Sequence, residues 1–173
     1  MMHRRGFTLI EIMVVMAIIG IVTAVTIVSF GSGKERKAVE GQARKVAAAI
    51  REMQNYALTG KQIGTNVPCK FGPGSILTSD VTFGLMYTYR TGTSCSAGMS
   101  ASTIIPGMIM SLENGVTFAS DSNEFFFTVP RGELDPNGNL PPIDIQLSKG
   151  STTYSVCVYP GGQVKDVAGT TCP

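Results

Sequence analysis

From position 7 to position 30 nearly every residue is apolar. The stretch FTLIEIMVVMAIIGIVTAVTIVSF holds no Pro, Lys or Arg, and its single charge is Glu11. At ~1.5 Å per helical residue it would reach ~36 Å, enough to cross a hydrocarbon core of ~30 Å with some tilt. Past Gly31-Ser32-Gly33 the pattern changes. Val39, Ala43, Val46, Ile50, Met53 and Ala57 recur at alternating steps of four and three, with Arg44, Lys45, Arg51 and Glu52 between them. This spacing predicts an amphipathic helix with one core-facing stripe. It should end near Thr59-Gly60, where glycine suits the C-cap. Together the two segments predict a helical rod of ~50 residues, ~80 Å long.

From Lys61 the texture becomes short apolar runs between Gly, Pro, Ser and Thr. Strands are predicted over 64–71, 82–90, 108–111, 117–119, 125–129, 143–147, 153–158 and 163–165, where β-branched and aromatic residues concentrate. Phe125-Phe126-Phe127-Thr128-Val129 is the strongest candidate for a core strand. Residues 92–106 read as a loop closed off by Cys95 and as a candidate contact surface. The fold class is therefore α+β. A long N-terminal α-helix, one half membrane-type and one half amphipathic, packs on a β-rich globular head of antiparallel sheets.

Two features of the N-terminus need an explanation. MMHRRG precedes the apolar run, and a carboxylate sits near the run's start. A cleavable signal peptide would have an apolar region of ~7–15 residues ending in a small-x-small site; Ser29-Phe30-Gly31 is a poor one. A plain anchor leaves Glu11 without a purpose, although an ionised carboxylate costs at least ~2.5 kcal/mol at mid-bilayer. Cutting after Gly6 supplies the purpose. Phe7 would become a new N-terminus, and its α-amine could pair with Glu11 of a neighbouring subunit. Removing one partner of such a buried pair is costly, so pairing favours one stacking register.

Arg4-Arg5-Gly6-Phe7-Thr8-Leu9-Ile10-Glu11, followed by Ile12 to Ile21, resembles the class III signal of type IV prepilins and type II secretion pseudopilins. The resemblance implies the pilin fold. It also implies cleavage after Gly6 by a prepilin peptidase, methylation of Phe7, and Glu11 as the assembly acid. Residues 1–6 would then be a leader, 7–30 the transmembrane and filament-core helix, 31–60 the stem and 61–173 the head. Many relatives carry a late Pro that kinks this helix. Here Ile27-Val28-Ser29 stands instead, and Gly31-Ser32-Gly33 is the nearest weak point.

Within the head, Phe125, Phe127 and Gly132, then Val156, Val158, Gly162 and Val164, resemble a pattern of the H-type pseudopilins and FimT-like minor pilins. The first glycine is displaced by one position. The resemblance places the chain in a bacterial inner membrane as a single-pass protein, head outward, and later in a pilus or pseudopilus. Its implied partners are other pilin or pseudopilin subunits, the peptidase, the membrane and the assembly platform.

Composition narrows the chemistry. Fourteen Lys and Arg, two of them in the leader, stand against twelve acids. Basic residues gather in the stem, which suits anionic headgroups, and the head is mildly acidic, a poor match to nucleic-acid phosphates. The one histidine, His3, lies in the leader and there is no Trp. This removes Ser-His-Asp and Cys-His mechanisms and histidine-ligated metals. An enzyme, a cofactor and a small-molecule substrate are not expected.

Cys69, Cys95, Cys157 and Cys172 allow three pairings. An oxidising compartment favours disulfides, and no C-x-x-C spacing supports zinc. Proximity along the chain favours Cys69 with Cys95 and Cys157 with Cys172. Asp135-Pro136-Asn137-Gly138-Asn139 has alternate oxygens but an early glycine and no bidentate Glu, so it reads as a turn rather than a calcium loop. Glu133, Asp135 and Asp144 read as surface acids rather than catalytic carboxylates, and Gly161-Gly162 as a hairpin turn. Tyr87 and Tyr89 read as sheet packing. No metal site is expected.

The expected function is a structural minor subunit of a type II secretion pseudopilus or type IV pilus. DNA binding through Lys165, Arg131 and Lys149 is the second hypothesis, not favoured by the acidic head. A major pilin rests on the same rod.

Overall fold

The computed structural model describes residues 8–73, 81–91, 94–95, 103–119 and 125–173, with side chains apart from those of residues 25–32, 83, 90, 91 and 94. A helix, α1 (Leu9–Thr59), precedes ten strands among the described residues. They are β1 (Pro68–Pro73), β2 (Thr82–Thr91), β3 (Ser94–Cys95), β4 (Thr103–Ser111), β5 (Thr117–Phe118), β6 (Phe126–Thr128), β7 (Leu134–Asp135), β8 (Ile143–Lys149), β9 (Thr152–Val158) and β10 (Val164–Ala168). The chain forms two compact units, Met1–Glu35 and Arg36–Pro173. From Arg36 onward α1 lies in the same compact unit as the strands.

Within the second unit, the predicted stripe is the buried side of α1. Val39, Ala43, Ile50, Met53 and Ala57 are fully buried and Val46 nearly so, while Arg44, Arg51 and Glu52 are exposed. Period 3.6 explains this, because steps of three and four return to one face. The helix stops where predicted. Lys61 N–H donates to Tyr56 O at 3.0 Å and Gly60 N–H to Ala57 O at 3.4 Å, with Gly60 at φ 61°. These are the two bonds of a Schellman cap. Backbone at Gly31-Ser32-Gly33 is helical, so no break falls there.

The strands form two sheets, and every strand pair in them is antiparallel. One has six strands in the order β3-β2-β1-β6-β7, with β4 also on β2. The other runs β10-β9-β8-β5. On β8, Ile143, Ile145 and Leu147 are buried and join the core, while Asp144 and Gln146 on the opposite side are half-buried, the alternation of a sheet with one core face. Phe125, Phe126 and Phe127 are all fully buried. Phe125 and Phe127 meet edge-to-face at 5.8 Å in the core, and Lys70 Nζ stands 5.8 Å over the Phe126 ring.

Several boundaries differ from the sequence reading. The first strand starts at Pro68 rather than 64, and β4 begins at Thr103 rather than 108. Residues 92–106 are not wholly loop: Ser94–Cys95 pair with Thr91 and Arg90, and Thr103 and Ile104 pair with Tyr87 and Met86. The physical reason is backbone pairing with β2, which does not require apolar side chains at these positions. The two-residue strands β3 and β7 had no periodicity to betray them.

Candidate functional site

The N-terminal unit carries the site. Thr8 precedes α1, and its Oγ1 accepts a hydrogen bond from Glu11 N–H at 3.4 Å. Thr8 O also accepts from Glu11 N–H at 3.1 Å and from Ile12 N–H at 3.4 Å. Glu11 therefore lies in the first helical turn, an exposed acid that makes no ion pair among the described residues. The expected cleavage and methylation positions, Gly6 and Phe7, and the expected leader with them, lie outside the described residues.

Beyond Glu11 the helix surface is apolar on all sides through Ala24, apart from Thr23, whose hydroxyl donates to Ile19 O at 2.6 Å. The large side chains there are exposed, from 48% at Val15 to 69% at Ile21. An exposed apolar surface of this extent marks a binding surface or a membrane contact. No helix among the described residues is long and apolar enough to cross a membrane; the apolar run continues into residues 25–32, whose side chains are not among those described.

The head's candidate groups are dispersed into structural roles. Cys69 is bonded to Cys95 and Cys157 to Cys172, the pairs nearest along the chain. The first links β1 and β3 on either side of β2. The second straps the C-terminal tail to β9, helped by Gln146 Nε2 donating to Thr170 O at 2.7 Å and Ser155 Oγ to Gly169 O at 3.0 Å.

Glu133 faces Arg131 at 3.9 Å, and Asp144 accepts from Gln146 Nε2 at 3.0 Å. Asp135 accepts from Lys70 Nζ at 2.6 Å and from Asn137 N–H at 3.0 Å. Burial opposes the Asp135 carboxylate. The hydrogen bonds from Lys70 and Asn137 and the lysine's charge outweigh it, holding the carboxyl below its ordinary value. Asp135 and Asn137 thus close a turn. Among the described residues, no group of three or more His, Cys, Asp and Glu side chains is placed to hold a metal ion.

Tyr87 is buried 6.3 Å from Phe71, and Tyr89, exposed, stands 6.5 Å from Tyr87. Gly161 and Gly162 form the β9–β10 hairpin turn, closed by Gly162 N–H to Tyr159 O at 2.8 Å. Lys149 and Lys165 are not brought together. They pair with Thr152 and Cys157 on β9, five residues or ~17 Å apart along that strand. Lys149 donates to Asn114 O at 2.5 Å and Lys165 lies over the Tyr159 ring.

Two residues matter that sequence reasoning missed. Gln54 reaches Gly132 O at 3.4 Å and lies against Gly162. Nothing in its sequence context distinguishes it. Thr8 did have a signal, the Thr-x-x-Glu spacing of a capping box.

Residues 1–27 match the model of the family described as Prokaryotic N-terminal methylation motif. The match supports a pilin or pseudopilin subunit. No curated protein matches the chain, and no solved structure does.

Proposed function

We propose that this protein is a structural minor subunit of a type II secretion pseudopilus or type IV pilus. The supporting observation is the methylation motif at residues 1–27 leading directly into a helix whose exposed surface is apolar. In this reading residues 7–30 hold the chain in the cytoplasmic membrane, and a peptidase cuts after Gly6. Phe7 is then methylated, the apolar surface exchanges lipid for neighbouring helices, and Glu11 pairs with the terminal amine of an adjacent subunit.

The assignment to the H-type and FimT-like subgroup draws support from the head. Phe125, Phe127, Val156, Val158 and Val164 share one core, and Gly132 and Gly162 converge on Gln54.

Intact-mass analysis of the native protein tests the processing. A chain beginning at N-methylated Phe7 is expected; a chain retaining Met1 would overturn the reading. Glu11→Ala tests the assembly role: a folded, processed membrane protein that fails to join filaments is expected, and normal incorporation would count against it.

A further inference from the structure

We infer that Lys34 and Lys37 bind anionic phospholipid headgroups while the chain is held in the membrane. The inference rests on the membrane role given to residues 7–30 above and names the lipid class that this part of the chain contacts.

Residues 34–60 carry six basic side chains: Lys34, Arg36, Lys37, Arg44, Lys45 and Arg51. Composition treats them alike, but the fold divides them. Arg36 donates to the Tyr154 hydroxyl. Arg44 bonds Glu40 at 2.5 Å and faces Asp166 at 3.7 Å. Lys45 Nζ donates to Ser111 O at 3.3 Å and stands 3.4 Å from Glu113. Arg51 donates to Val164 O at 2.8 Å. These four cations are spent on contacts within the second unit. Lys34 and Lys37 are exposed, and neither makes an ion pair among the described residues. Glu40, three residues beyond Lys37, is already taken by Arg44, and Glu35 is half-buried.

The two uncommitted cations are also the first lysines after the apolar run, four and seven residues beyond position 30. Chain length alone keeps them within ~15 and ~25 Å of that position. A lysine stem lies along an apolar boundary while its ammonium reaches outward to polar surroundings. Uncommitted positive charge following an apolar segment complements a surface that presents phosphate above hydrocarbon. Attraction of this kind acts over a Debye length, ~10 Å at 0.1 M salt, so it favours the cations nearest the segment.

The test returns the full-length chain from detergent to phosphatidylcholine vesicles. These carry a trace of spin-labelled phosphatidylglycerol or of spin-labelled phosphatidylcholine. The fraction of each label immobilised at the protein gives the preference for the anionic headgroup. The natural chain is expected to prefer the anionic lipid and to lose that preference at ~1 M salt. Lys34→Gln and Lys37→Gln are each expected to lower it about fivefold, the ratio that ~1 kcal/mol per basic residue at an anionic surface gives. The double Gln variant should hold both lipids alike. Arg at both positions keeps the charge and should keep the preference. Arg44→Gln makes the same charge change at a committed cation and should leave the preference as it is.

Equal association of the two lipids with the natural chain overturns the inference and leaves the membrane role standing. A preference that survives the double Gln change, or that Arg44→Gln lowers as far, also overturns it. So does an unchanged lipid preference with weaker crosslinking between chains, which would put the acids of a second copy on these lysines. A chain that does not float with the vesicles removes the membrane role itself, and this inference with it.

Discussion

Gly162 lies so close to Gln54 that a Cβ on the glycine would stand 2.2 Å from Nε2 of the amide. Gly162 also has φ +77°, where any other residue is strained. Gly162 and Gly132 come from separate turns, and Gln54 on α1 bridges them, donating to Gly132 O at 3.4 Å. The helix is thereby keyed to both loops at one point. Gly162→Ala is expected to destabilise the protein by about 2–4 kcal/mol, from backbone strain and overpacking together. Gln54→Ala in the same background should recover the overpacking part. Denaturant midpoints of the two single variants and the double variant measure that coupling.

The stripe on α1 predicts a larger loss. Ile50 and Met53 are fully buried against the strands. Replacing either by Ala is expected to cost about 2–5 kcal/mol, the sum of lost transfer energy and the cavity left behind. Arg51→Ala provides a contrast. It removes one part-buried bond to Val164 O at 2.8 Å, so a loss nearer 1 kcal/mol is expected. Equilibrium unfolding of the three variants orders them.

Asp135 makes stability depend on acid. Its folded carboxyl is a stronger acid than the unfolded one, held so by Lys70 and Asn137 against burial. As pH falls, the unfolded chain takes up the proton first. The stabilisation is therefore complete above the ordinary aspartate value of about 4 and is lost as pH drops through the lower folded value. Asp135→Asn should flatten this part of the pH–stability curve and lower stability at neutral pH by about 1–2 kcal/mol. Melting temperatures between pH 2 and pH 7 check both.

The strap at the C-terminus joins residues 15 apart in sequence. Closing a loop of that length stabilises by about 3 kcal/mol through the unfolded chain. Replacing Cys157 and Cys172 together by Ser should lower stability by roughly this amount and expose the tail to proteolysis. Mass analysis of limited digests would locate the first cuts after residue 168 if the strap holds the tail as described.

Much of this architecture is legible in local pattern. The stripe from Val39 to Ala57, the cap at Gly60 and the alternation along β8 each follow from the period of a single element. Thr8 could have been found the same way, from its spacing to Glu11. By contrast β3 and β7 are strands only because β2 and β6 supply their pairing partners. Residues 103–106 read as part of the loop 92–106 because that stretch is mostly small and polar, yet Thr103, Ile104 and Ile105 fall within a strand on β2.

By itself the sequence determined an N-terminal signal, an apolar segment with one acid, an amphipathic helix and a β-rich head, because charge, hydrophobic period and turn residues are properties of neighbours along the chain. Only the tertiary structure decided the order of strands in the two sheets, the seat of Gln54 between Gly132 and Gly162, and the pairing of Lys70 with Asp135. Those contacts join residues 65 to 108 positions apart, and their geometry is set by how the sheets twist and pack rather than by any spacing in the chain.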